Sequence, residues 1–369
     1  MKPYVVIAPR SKALYVKMFI EALERLNIKP YIISKLINPF IVLKLVKHYK
    51  EILFIHLNWV EYLYTPARLR RRRIYPIFVL CSAIAYVIIL NIIRILFNRR
   101  IVTVLHNVYP HDSKWPFFDF VMTKITLIKS DLVVAHSLLA FYFAWKVCDI
   151  KPDNILHLTH PKWGRVYGDT LTVKEAKESL GFKDTDVVIG FIGNISRYKG
   201  VDLLLQAFSQ LQLKYNNIFL LIAGNCDDKF YEEYLRQLVY KLDIAKRTIL
   251  ITRYIPDISM ERYVKTIDIA VIPYVRTTTP SNIMLFSSYG KVVVIPSKMT
   301  LREVLRDYDL SFYFKGLDNL VQILDTIIAN SIYRDVHERD MSTEASKKEW
   351  VIYLKLLFEK LFQGELCER

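Results

Sequence analysis

Glycine is scarce in this 369-residue sequence, with 10 residues against 24 tyrosines and 20 phenylalanines. Cysteine is scarcer still. Cys81, Cys148, Cys226 and Cys367 stand far apart with no Cys-x-x-Cys pair, which supports neither a zinc site nor a disulfide framework and points to a reducing compartment. Acidic side chains are outnumbered, 36 against 52 Lys and Arg, so the formal charge is +16. No Asp-x-Asp pair is well placed for a divalent metal, because Asp184-Thr185-Asp186 precedes a strand-like run in a polar stretch; no metal site is expected. The positive charge is not accompanied by a helix-turn-helix, a zinc finger or an aromatic-basic RNA-binding run. It therefore suggests a membrane surface or phosphorylated substrates before nucleic acid. Met1-Lys2-Pro3 leads straight into an apolar run, with no long hydrophobic stretch or small-residue cleavage site of a signal peptide. At 53% hydrophobic and 24% charged the chain is globular, and its length favours two domains.

Short apolar runs alternate with helical periodicity almost from end to end. Strands are expected at Tyr4–Ala8, Tyr31–Ser34, Ile52–His56, Ile101–His106, Leu132–His136 and Ile155–Thr159. The pattern then restarts at Val187–Ile192, Phe219–Ala223, Thr248–Thr252, Ile269–Ile272 and Val292–Ile295. Such alternation predicts an α/β chain with two doubly wound parallel sheets, joined by the polar stretch Pro161–Asp186. Ligands in these sheets bind beyond the carboxyl ends of the strands. His56, His106 and His136 stand at such ends and His160 follows the last strand of the first unit, half of the chain's eight histidines.

Val187–Phe208 is the most informative stretch. An apolar run ends at Gly193, a basic loop carries Asn194, Arg197 and Lys199, and Gly200 opens a helix with Val201, Leu204, Leu205 and Phe208 on one face. Free backbone N–H groups, the helix dipole and two cations together make an anion site suited to phosphate. An ordinary βα loop with solvated cations has the same pattern.

Residues 68–100 differ from the rest. Arg68, Arg70, Arg71, Arg72 and Arg73 precede the apolar run Pro76–Ile93, and Arg99-Arg100 close the segment. A buried crossover helix, a spanning helix and a helix lying against the lipid interface all fit. The clustered arginines favour the last, because they suit anionic head groups beside an apolar helix.

The second half resembles the nucleotide-binding domain of GT-B glycosyltransferases of family four. FIGNISRYKGVDLLLQAF resembles the family's strand–loop–helix around the donor diphosphate. LLIAGNC (Leu220–Cys226) and IDIAVIPYVRTTTPSNIMLFSSYGKVVVIPS (Ile267–Ser297) resemble its later segments. In the first half, FIHLNW (Phe54–Trp59), TVLHNVYPHD (Thr103–Asp112), DLVVAHS (Asp131–Ser137) and LTHPKWGRVYGD (Leu158–Asp169) resemble the histidine motifs of a sub-branch. The resemblance implies two Rossmann-like domains facing a cleft. These would be an acceptor domain over 1–165, a nucleotide-sugar domain over 166–345, and a helix over 346–369 packing back on the first. Two departures stand out. The places of the family's Glu-x7-Glu pair hold Thr277 and Leu285, and Ala8-Pro9-Arg10-Ser11-Lys12 replaces the Gly-rich loop after the first strand.

What the resemblance implies is a glycosyltransferase moving a sugar from a UDP- or GDP-sugar, with retention, without metal and with no cofactor beyond the donor. The acceptor would be a glycan or a polyprenol- or dolichol-phosphate-linked sugar. The protein would be cytoplasmic, peripherally attached to the inner face of an anionic membrane. Gly193, Asn194, Arg197, Lys199 and Gly200 would face the diphosphate, with Tyr274, Arg276, Thr278, Thr279, Ser281 and Asn282 in the donor pocket. His106, Asn107 and His111 are the expected acceptor-side polar groups, His106 positioning the acceptor hydroxyl. His56 and His160 would help hold the acceptor, and Arg70–Arg73 the membrane. The missing carboxylates leave a non-catalytic scaffold or a sugar-nucleotide epimerase as alternatives, with a nucleic-acid-binding protein more distant.

Overall fold

The computed structural model describes residues 4–8, 14–33, 49–64, 75–106, 115–275, 281–306, 308–334 and 343–362. The chain divides into two compact units, Met1–Pro161 with Lys347–Arg369, and Lys162–Ser346. Each holds one six-stranded sheet, and every pairing in both sheets is parallel.

The first unit contains β1 (Tyr4–Ala8), β2 (Lys29–Ile32), β3 (Ile52–Leu57), β4 (Arg100–Leu105), β5 (Leu132–Ala135) and β6 (Ile155–His157). Their order is β2-β1-β3-β4-β5-β6, so the sheet reverses direction of growth between β1 and β3. Continuous apolar runs such as Val5–Ala8, which have no accessible surface, are what a central parallel strand requires. The second unit contains β7 (Val187–Ile192), β8 (Ile218–Ala223), β9 (Thr248–Ile251), β10 (Ile269–Val271), β11 (Val292–Pro296) and β12 (Ser311–Phe314). Here the order is β12-β11-β10-β7-β8-β9, with the reversal between β7 and β10. The edge strand β12 is absent from the strands expected on periodicity, because Ser-Phe-Tyr-Phe is short and mostly half-buried.

The polar stretch expected as a linker instead starts the second unit. It carries the helix Val173–Ser179, opened by a capping box in which Thr172 Oγ1 accepts from Glu175 N at 3.1 Å and Glu175 Oε2 accepts from Thr172 N at 2.7 Å. Lys177 of that helix reaches Asp268 at 2.9 Å with both side chains buried, and donates to the carbonyl of Asp186 at 2.7 Å.

The basic apolar segment contains the helix Tyr75–Asn91, which runs on into a π turn at Ile92–Leu96 and forms the crossover from β3 to β4. Its inner face, with Ala83, Tyr86, Leu90 and Ile93, is buried in the core beside Leu63 and Tyr64. Leu80, Ile84 and Ile88, at four-residue spacing, are each more than half exposed, as are Ile95 and Leu96. The segment is thus a crossover helix with an uncovered apolar face. Among the described residues, no helix is long and apolar enough to cross a membrane.

From Lys347 onward the helix Thr343–Phe362 belongs to the first unit, and it buries Trp350, Tyr353, Leu354 and Leu357 there. Trp350 has no accessible surface and lies edge-on to Tyr15, with ring centroids 5.4 Å apart. Truncating it leaves a cavity that rigid strands cannot close. Trp350→Ala should therefore cost about 3–5 kcal/mol in urea unfolding; a loss below about 1 kcal/mol would show that the helix does not hold the unit together.

Candidate functional site

In the second unit the sheet reversal places the end of β7 beside the end of β10. Gly193, at φ 142°, leaves β7 and donates its N–H to Ala223 O at 3.0 Å. Asn194 follows as an exposed residue, and Arg197–Lys199 form a single 3-10 turn. Gly200, in the left-handed region at φ 65°, opens the helix Val201–Leu211, whose Val201, Leu204, Leu205 and Phe208 have no accessible surface. A Cβ on Gly200 would stand 2.3 Å from the carbonyl oxygen of Pro273, and one on Gly224 would stand 2.0 Å from that of Gly193. The three strand ends approach too closely for side chains there, so glycine is required.

Lys199 Nζ donates to Tyr274 Oη at 3.0 Å and lies 4.7 Å from the centre of that ring. Tyr274 is buried, and burial raises its pKa, so it faces the lysine as a neutral phenol. Arg197 is mostly exposed. Its Nε pairs with Asp228 at 3.3 Å and its guanidinium stacks 4.9 Å over Tyr231. An exposed pair of this kind is weak, leaving Arg197 able to turn to another anion. Asn282, in the helix Ser281–Ser288, is buried, and its amide donates to the carbonyl of Ile192, tying that helix to the end of β7. Leu285, at one place of the family's acidic pair, is buried among apolar side chains.

The sequence reading missed Lys298, which has no motif around it. It follows β11, donates to the carbonyls of Tyr274 (3.3 Å) and Val275, and has its pKa lowered by partial burial. Tyr274 is thus bracketed by two lysines, one at its hydroxyl and one at its carbonyl.

In the first unit the structure brings His56, His106, His136 and His160 into one aromatic cluster. The centre is Tyr15, from the helix Leu14–Arg25, which no sequence pattern singled out. Its ring centroid lies 6.1 Å from that of His56, 4.7 Å from His106, 5.7 Å from His136 and 5.4 Å from His160. Its hydroxyl meets His56 Nε2 at 3.3 Å and Tyr353 Oη at 3.1 Å. Trp59 stacks on His106 at 4.4 Å, and His106 Nε2 meets Asn58 Oδ1 at 3.0 Å. His136 Nδ1 donates to Leu158 O at 3.0 Å and His160 Nδ1 to Pro161 O at 2.8 Å.

Desolvation drives all four imidazoles towards the neutral form. It pushes His56 and His136 down to about 3 and His160 to about 4, and His106 falls well below the ordinary histidine value. No group of three His, Cys, Asp or Glu among the described residues is spaced to hold a metal ion.

Asn107, His111, Arg276, Thr278, Thr279 and Arg70–Arg73 lie outside the described residues, as does Thr277; Ser281 is described only as the first residue of its helix.

Comparison with known proteins gives these features a context. Residues 172–348 match the model of the family described as glycosyl transferases group 1. An uncharacterized glycosyltransferase of Methanocaldococcus jannaschii is 25% identical over 196 residues, covering 50% of this chain and 49% of that protein. The chain spans about half the length of the curated relatives it matches. Among solved structures, sucrose-phosphate synthase from Thermosynechococcus elongatus superposes with a TM-score of 0.70 at 14% identity, covering 99% of this chain and 100% of that one. The Anabaena protein HepE, solved in complex with UDP-glucose, gives 0.66 at 14% identity, covering 96% and 100%. The two six-stranded parallel sheets are those of the GT-B fold.

The neutral histidines carry a pH dependence of stability. Their folded pKa values lie below the unfolded value of 6.5, so from about pH 6.5 down to about 3 the unfolded chain binds protons that the folded rings refuse. Stability therefore falls as pH falls, by about 1.4 kcal/mol per pH unit for each such histidine. The denaturation midpoint should drop between pH 7 and pH 5, and His136→Phe should make that slope shallower. An identical slope in the variant would mean that His136 takes up its proton equally in the folded and unfolded chains.

Proposed function

We propose, from the match of residues 172–348 to the model of glycosyl transferases group 1, that the protein is a glycosyltransferase whose second unit holds a nucleotide-sugar donor by its diphosphate. The observation that carries this reading is the turn after β7. Two positive-φ glycines and Lys199, itself braced by Tyr274, sit beside a helix N-terminus at the point where the sheet reverses. HepE, a structural neighbour, was solved with UDP-glucose, which supports a UDP-sugar as the first donor to try. The cations and backbone N–H groups of the turn stabilise the leaving diphosphate electrostatically, so the reaction runs without a metal ion. In the family's manner, the anomeric configuration is retained.

The acceptor is a lipid-linked sugar or glycan met at a membrane surface. The uncovered Leu80, Ile84 and Ile88 face supports this, together with Ile95 and Leu96 and the arginine run 70–73 preceding the helix in the sequence. An apolar face flanked by cations suits an anionic bilayer, at about 1 kcal/mol per basic residue near the surface. The acceptor's sugar would meet the histidine cluster of the first unit.

Two measurements test this. Thermal unfolding with UDP-glucose and EDTA should show stabilisation of about 2.7 kcal/mol at a hundredfold excess over Kd. Lys199→Ala should weaken that binding by about tenfold to a hundredfold. No shift with UDP-, GDP- or other nucleotide sugars would overturn the donor assignment. Sedimentation with anionic vesicles should carry the wild type down at low salt and leave Ile84→Ser/Ile88→Ser in the supernatant; equal sedimentation of both would remove the helix from the membrane contact.

A further inference from the structure

Lys298 stands where local rules disfavour a lysine. It follows β11 as the N-cap residue of the short helix Met299–Val304, and its side chain makes no capping hydrogen bond there. N-cap positions favour Ser, Thr, Asp or Asn, and a cation at that end opposes the helix dipole. Burial lowers its pKa as well. Its ammonium is bonded to the carbonyls of Tyr274, at 3.3 Å, and Val275, and among the described residues it pairs with no carboxylate. A lysine that gives up hydration for two carbonyls, at a place suited to another residue type, has its use in what those carbonyls carry.

The two carbonyls belong to the segment on which the turn after β7 rests. Pro273 O, just before them, is the atom that a Cβ on Gly200 would strike. Val275 N donates to Tyr198 O at 2.8 Å, within the 3-10 turn Arg197–Lys199, and Tyr274 Oη accepts from Lys199 Nζ at 3.0 Å. The pair Tyr274–Val275 is thus bonded to the turn through its hydroxyl and an N–H, and to Lys298 through both carbonyls. β10 has already ended at Val271, and Ile272 N makes a last bond to β11, at Val294 O. Val275 is 61% exposed, so packing does not fix it. Beyond the ladder, Lys298 ties this segment to the end of β11.

We propose that Lys298 is a positioning residue for donor binding: it fixes the Tyr274–Val275 backbone, and through the Tyr274 hydroxyl it sets where Lys199 presents its ammonium. The assignment rests on the donor reading above and adds a residue that acts through another. Without Lys298 the two carbonyls return to water and the segment under the turn is no longer held. The donor must then order that segment as it binds, and affinity falls by the cost of doing so. A lysine that met the donor directly would act independently of the Tyr274 hydroxyl, and one that served only the fold would leave affinity unchanged.

The test is calorimetric titration of the full chain with UDP-glucose and with GDP-glucose. The proteins are the wild type, Lys298→Met, Lys298→Arg, Tyr274→Phe and the double variant Tyr274→Phe/Lys298→Met. Lys298→Met should weaken binding of the nucleotide sugar by at least about tenfold, and Lys298→Arg, which keeps a cationic donor for the carbonyls, should return to within about threefold of the wild type. In the Tyr274→Phe background the Lys298→Met change should cost less than about threefold, because the hydroxyl through which it acts is gone. The melting temperature of unliganded Lys298→Met should stay within about 4 °C of the wild type. If Lys298→Met does not fold, Lys298→Gln takes its place with the same expectations. Wild-type affinity in Lys298→Met, no recovery in Lys298→Arg, or an equal loss with and without the Tyr274 hydroxyl would overturn the proposal and leave the donor reading standing. No binding of either nucleotide sugar to the wild type would overturn the donor reading, and the proposal with it.

Discussion

A parallel sheet whose strand order reverses must send the two loops at the reversal to opposite faces, and the strand ends between them are left for something other than a helix to cover. Both units are organised by this constraint. In the second, the ends of β7, β8 and β10 come so close that Gly200 and Gly224 cannot carry a Cβ, and the backbone itself forms the floor of the site. In the first, the reversal lies between β1 and β3, and Tyr15, from the helix after β1, gathers His56 from β3 with the histidines that follow β4, β5 and β6.

The two sites differ in electrostatic character because burial acts on different residue types. Lys199 and Arg197 stand beside phenols and backbone dipoles, an arrangement suited to an anion. The first unit's cluster is built from imidazoles, and desolvation shifts these to the neutral form. In the proposed reaction this division matches its two substrates, a diphosphate-bearing donor and a hydroxyl-bearing acceptor. Buried Leu285 is where the second unit departs from the family pattern set out in the sequence analysis: an apolar side chain stands at one place of the paired carboxylates.

Most of the fold was legible because central parallel strands are apolar runs with sharp polar ends. Tyr4–Ala8 and Val187–Ile192 were read to the residue, and the restart of the pattern separated two sheets. β12 was not legible, since a short, half-buried edge strand has neither the run nor the alternation. The helix Val173–Ser179 was hidden inside a polar stretch, although its Thr-x-x-Glu capping box was there to be read. The histidines could be placed at strand ends from sequence, but Tyr15 could not. A tyrosine on the inner face of an amphipathic helix looks like any core residue until the strands are assembled around it. Lys298 shows the same limit, because its role comes from two carbonyls brought to it by β10 and not from its neighbours in sequence.

The central claim is that this scaffold transfers a sugar despite lacking the paired carboxylates. The direct measurement combines the purified protein, a radiolabelled nucleotide sugar that it binds, and vesicles carrying a lipid-linked sugar. Release of nucleoside diphosphate is followed together with label in the lipid extract. The account predicts that the two appear in equal amounts and that both are lost in Lys199→Ala. Tight binding of the nucleotide sugar with no label in lipid, across a range of lipid-linked acceptors, would contradict it and make the protein a binding scaffold.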